Sequence, residues 1–137
     1  MPRTTQQIIH DMDGFAPIDG SWRRLDDLVG ELFQQSVTAE GITAALRVFE
    51  RFPTGDGAGV LWSIVHGLES LPDYEPHLVA SVRRRPSEPG VIMLHRILKT
   101  GQKDAGEVSI HSVLSEVAAR PATEPSIRRY AESFLQT

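Results

Sequence analysis

Cysteine is missing from all 137 residues. Its absence excludes disulfides, thiolate nucleophiles and cysteine-ligated zinc in one step. Long apolar runs are missing too, and nothing approaches the roughly 20 residues that a bilayer-spanning helix needs. The opening stretch from Met1 to Gly14 has one arginine and no apolar core, so it predicts no secretory leader. A cytoplasmic protein with no membrane partner follows as the expectation. Alternating strand patterns of useful length are scarce.

The signatures of chemistry are equally thin. No Gly-x-Ser-x-Gly elbow occurs. Gly55-Asp56-Gly57-Ala58-Gly59 precedes a helix, but no Gly-Lys-Ser/Thr follows, so the glycines read as turn residues rather than a phosphate loop. Asp11-Met12-Asp13-Gly14 opens like a calcium loop and lacks the remaining ligands. The five histidines, His10, His66, His77, His95 and His111, include no His-x-x-x-His pair. His66 and Glu69 are one helical turn apart, a spacing that suits a shared zinc or an acid/base pair and equally an ordinary polar face. The sequence therefore predicts no enzyme, no cofactor and no metal.

What the chain does have is a recurring phrase. Gly59-Val60-Leu61-Trp62-Ser63-Ile64-Val65-His66-Gly67-Leu68 is echoed by Gly90-Val91-Ile92-Met93-Leu94-His95-Arg96-Ile97-Leu98, and more loosely by Ser126 to Leu135. Before each copy lies a helix-like stretch ending near a proline, Pro53, Pro86 or Pro121. Recurrence at this period is the mark of stacked helical hairpins.

Apolar spacing predicts helices over about 3–11, from an N-cap at Ser21 to Gln35, from Thr38 to Pro53, and from Gly59 to about Leu71. Further helices are expected from Tyr74 to Arg85, over 88–99, from Val108 to Arg120 and from Glu124 to Leu135. The expected fold is all-α: one domain over 1–137, a HEAT-like stack of seven or eight helices, with a compact irregular bundle as the alternative. A composition 40% hydrophobic and 23% charged suits such a globular domain.

Charge is unevenly laid out. Residues 1–75 hold five arginines against twelve acids, net −7; residues 76–137 hold nine bases against six acids, net +3. An acidic front half is a poor match for nucleic acid, and Arg83-Arg84-Arg85 splays around a helix rather than forming a flat phosphate patch. It suits a basic protein surface better. On a continuous helix Trp62, His66, Glu69 and Asp73 would share one stripe, offset from the Leu61/Ile64/Val65/Leu68 core stripe, with Tyr74 and Glu75 at the following turn. An aromatic, a histidine and acids in a row make a candidate recognition strip, joined by Asp26, Asp27 and Glu31 from the front half. The plainer alternative is that Trp62 fills a gap between repeats and His66 bonds a neighbour. In the second copy Met93, Ile97 and Thr100 replace Trp62, His66 and Glu69, which singles out 62–75 as the partner-facing region.

The string FPTGDGAGVLWSIVHGLESLPDYEPHLVASVRRRPSEPGVIMLHRILKTG, Phe52 to Gly101, resembles small helical immunity proteins encoded beside bacterial polymorphic toxins of the contact-dependent, Rhs or type VI secretion systems. The marks are the acidic-glycine loop before Val60-Leu61-Trp62-Ser63-Ile64-Val65-His66-Gly67-Leu68-Glu69, then Tyr74, Ser81-Val82-Arg83-Arg84 and Pro86-Ser87-Glu88. The likeness covers a little over a third of the chain. It implies a cytoplasmic antidote that binds one cognate toxin domain and blocks it by occlusion, without catalysis. It carries no contact residues over to this chain; the net −7 of the front half adds the separate expectation that the toxin presents a basic substrate cleft, which an acidic antidote would fill. A general helical-repeat adaptor without a toxin is the competing expectation.

Overall fold

The computed structural model describes residues 3–136. Among them are eight α-helices: α1 (Thr5–Asp13), α2 (Arg23–Phe33), α3 (Ala39–Arg51), α4 (Val60–Glu69), α5 (Glu75–Arg84), α6 (Glu88–Lys99), α7 (Ile110–Ala119) and α8 (Pro125–Leu135). Local chemistry sets most of the starts. The Thr4 hydroxyl accepts from the Gln7 backbone N–H while the Gln7 side chain accepts from that of Thr4, a complete capping box. Thr38, Ser87 and Ser109 cap α3, α6 and α7 in the simpler way.

Each consecutive pair of helices forms a hairpin, and the hairpins stack in order. Helices α1, α3, α5 and α7 lie side by side in one layer, and α2, α4, α6 and α8 in the other. One continuous core fills the space between the layers, with Leu25, Leu28, Phe49, Leu61, Ile64, Leu78, Met93, Leu94, Val113 and Ile127 all buried. The expected all-α stack of helical hairpins is the fold observed.

Four hairpins follow from the eight helices expected; the phrase falls on α4, α6 and α8, and the first hairpin does not carry it. Two details differ from expectation. Ser21 is not the cap of α2: it turns back on Ile18, and Trp22 takes the N-cap position. The Trp22 ring packs against Phe15 and Phe52 at 5.6 and 4.9 Å, and that aromatic burial outweighs the missing side-chain cap. Finally, the polar loop before α7 contains a small antiparallel hairpin, β1 (Asp104–Ala105) and β2 (Val108–Ser109), closed at Gly106 with φ +64°. Val108 is therefore in a strand, and the helix begins at Ile110.

Candidate functional site

The layer formed by α2, α4, α6 and α8 carries six of the proposed recognition residues, Asp26, Asp27, Glu31, Trp62, His66 and Glu69. Helix α4 buries Val60, Leu61, Ile64, Val65 and Leu68. Trp62 and His66 lie off that stripe, and both are exposed, with rings 6.2 Å apart and tilted by 52°. Trp62 is 37% accessible. These two residues are where the periodicity places them.

The rest of the expected strip is arranged differently. Helix α4 ends at Glu69 with Ser70 as its C-cap, so the stripe does not run on through Asp73. Asp73 sits in the following turn at φ +59°, exposed. Glu69 is half-buried and accepts two bonds from Arg96 of α6, from Nε at 2.7 Å and Nη2 at 2.9 Å. This bidentate clamp fastens α4 to α6 and raises the guanidinium pKa, chiefly through the hydrogen bond. Tyr74 is only 9% accessible, a buried residue rather than a surface anchor. Burial, then Glu69 and Glu75, push its phenol up to about 12. Glu75 opens α5, half-buried, and lines a cavity of about 480 Å³ with Glu69, Tyr74, Arg96 and Lys99.

The front-half acids divide similarly. Asp26 and Asp27 are exposed on α2. Glu31 is half-buried and paired with Arg3, which also holds Asp11. Much of the front-half acidity is thus internally engaged: Asp13 pairs with Arg47, and Glu50 with Arg84 of the basic half.

The written match between the first two phrases also misleads about which positions correspond. It sets Trp62 against Met93 and His66 against Ile97, yet both second members are buried. A shift of two residues aligns Leu61, Ile64, Val65 and Leu68 with Gly90, Met93, Leu94 and Ile97, all buried. His66 then corresponds to His95, so the face of the layer, not the spelling of the phrase, is the repeated unit.

Spelling-based comparison missed Tyr130. Helix α8 buries Ile127 and Ala131 one turn apart, and Tyr130 lies off that line, 40% accessible. That spacing was the available signal. Tyr130 and Trp62 line one cleft of about 320 Å³ between α4, α6 and α8, together with Asp56, Leu61, Glu88 and Ile92. Among the described residues no group of three or more His, Asp or Glu side chains is placed to hold a metal ion, and no helix is long and apolar enough to cross a membrane.

The fold and this face define a two-layer helical-hairpin stack with an aromatic cleft on one layer. Comparison with protein-family models, curated proteins and solved structures finds no match for the chain.

Proposed function

We propose that the chain is an immunity protein, binding a cognate bacterial toxin domain and neutralising it by occlusion, without catalysis. The observation that carries the binding role is the exposure of Trp62 and Tyr130 at one cleft; Ile18, on the loop before α2, is the other exposed large apolar side chain of the described residues. Exposed aromatics beside acids are what protein interfaces use as anchors. The antidote role rests on the resemblance of Phe52–Gly101 to toxin-associated immunity proteins. Trp62 and His66 form the centre of the proposed contact, with Asp26 and Asp27 on the neighbouring α2 available to a basic partner; Glu69, Glu31 and Tyr74 support it from within.

The test is co-expression with the toxin domain encoded by the adjacent reading frame, followed by growth and pull-down measurements. Protection and a one-to-one complex are expected. Trp62→Ala should keep the helical circular dichroism spectrum and weaken the complex by about 2 kcal/mol or more, the range of a central aromatic anchor. A neighbouring frame that encodes no toxin, or a toxin that is neither bound nor neutralised, overturns the antidote reading. A general helical-repeat adaptor is then the reading to pursue.

A further inference from the structure

The cleft between Trp62 and Tyr130 carries negative charge that no basic side chain among the described residues pairs with. Glu88, at the first position of α6, is half-buried. Its two oxygens accept from the Ser126 hydroxyl at 2.9 Å and from the Gly55 N–H at 3.2 Å, so the carboxylate is held in place by neutral donors. Asp56 lies on the same cleft and accepts from the Ala58 N–H. Neither has a cationic partner among the described residues.

Asp56 is exposed, and the half-buried carboxylates other than Glu88 are treated differently from Glu88. Asp11, Glu31, Glu50 and Glu69 each carry an ion pair, and Glu75 shares its cavity with Arg96 and Lys99. The N-terminus of α6 offsets part of the Glu88 charge, but a helix end supplies only about half an elementary charge. Two carboxylates therefore line a cleft in which no Lys or Arg stands among the described lining residues. Its walls are the two most exposed aromatic side chains of the described fold, with Leu61, Val65 and Ile92 between them.

We propose that this cleft receives an arginine side chain projecting from a protein partner. A guanidinium satisfies each part of the site at once. Its flat face stacks on the Trp62 or Tyr130 ring, its N–H groups reach the carboxylates, and its aliphatic stem covers the apolar floor. An aliphatic anchor would leave Glu88 desolvated without a counter-charge, and an acidic one would be repelled. The inference gives a chemistry to the contact in the proposed function and rests on that reading only for the partner's identity.

Nuclear magnetic resonance titration of the Trp62 indole N–H with N-acetyl-arginine-amide tests it on the free, full chain. N-acetyl-leucine-amide and N-acetyl-glutamate-amide serve as the matched probes. A saturable shift with the arginine probe is expected, with a dissociation constant in the range of about 1–10 mM for so small a ligand. Asp56→Asn and Glu88→Gln keep the local acceptors and remove the charge; together they should weaken binding about fivefold or more. Tyr130→Ala should also weaken it. Equal binding of the leucine probe, or no saturable arginine shift, overturns the proposal. Arginine binding without protection against the neighbouring toxin discards the antidote reading and leaves the cleft intact. Protection without any arginine preference does the reverse.

Discussion

At the scale of single residues, burial decides what each polar side chain can do. His95 stacks on Phe134 with ring centroids 4.0 Å apart, and its Nδ1 is buried without a hydrogen-bond partner. Burial first, and then Lys99, hold its pKa below the ordinary histidine range. Lys99 and Lys103 line the same cavity as His95, so its surroundings carry positive charge. The folded chain therefore resists a proton that the unfolded chain takes up near pH 6.5. This contribution to stability is present above that pH and is lost as pH falls through the lower folded value. Denaturant midpoints measured from neutral pH down to about 5 should fall for the native sequence and fall less for His95→Phe. Equal slopes for the two proteins would remove His95 from the explanation. Helical phase alone located Trp62 and His66 on the surface. The same phase could not reveal that Tyr74 is covered or that Glu69 is occupied, because the groups responsible lie on other helices. Arg96 is 27 residues away in the chain.

At the scale of elements, two contacts explain how α4 is held. Gly67 faces Phe33 of α2, and a Cβ at that position would meet three ring atoms at 2.6 to 2.8 Å. The helices approach closely because glycine has no side chain there. Gly67→Ala gains up to about 1 kcal/mol in helix propensity but forces the ring aside, and overpacking of this kind costs about 1–3 kcal/mol. Net destabilisation is expected in the native background and net stabilisation in a Phe33→Ala background; additive effects would show that the two do not touch in solution. On the other side of α4, the Glu69–Arg96 clamp is solvent-accessible at the guanidinium. A double-mutant cycle with Glu69→Ala and Arg96→Ala should return a coupling of about 0.5–1 kcal/mol, falling with added salt. The helices themselves were legible because all carry a 3.6-residue apolar stripe, to which α1, α3, α6 and α7 add a capping serine or threonine and α5 and α8 an opening proline. The β1/β2 hairpin was not, since two-residue strands are too short for alternation to register. The start of α2 was misplaced because the Phe15/Trp22/Phe52 cluster, a tertiary contact, competes with the Ser21 cap.

At the scale of the whole molecule, the uneven charge has a structural use that the sequence did not reveal. Glu50 and Glu69 of the acidic half pair with Arg84 and Arg96 of the basic half, so part of the asymmetry fastens successive hairpins rather than facing a partner. The stack also makes stability uneven. The α1/α2 hairpin packs mainly on α3 and α4, and the α7/α8 hairpin mainly on α5 and α6, whereas the two middle hairpins have neighbours on both sides. In such an array stability is a sum of unit and nearest-neighbour terms, and the end units lack one neighbour each. Native-state hydrogen exchange in low denaturant should therefore show α3 to α6 exchanging only through global unfolding, with α8 opening at lower free energy. Core substitutions give the contrast. Phe49, fully buried in α3, should cost about 3–5 kcal/mol as Phe49→Ala and lower protection in every helix. Ile127→Ala, at a buried position in the end helix, should cost about 2–5 kcal/mol and lower protection in α7 and α8 before the middle hairpins respond. If both variants reduce protection uniformly from α1 to α8, the eight helices unfold as one cooperative unit and the nearest-neighbour description fails. If the end hairpin opens first, the Trp62–Tyr130 cleft opens with it, because α8 supplies one of its walls. A ligand in that cleft would then slow exchange in α8 more than in α2, linking occupancy of the site to the stability of the stack's weaker end.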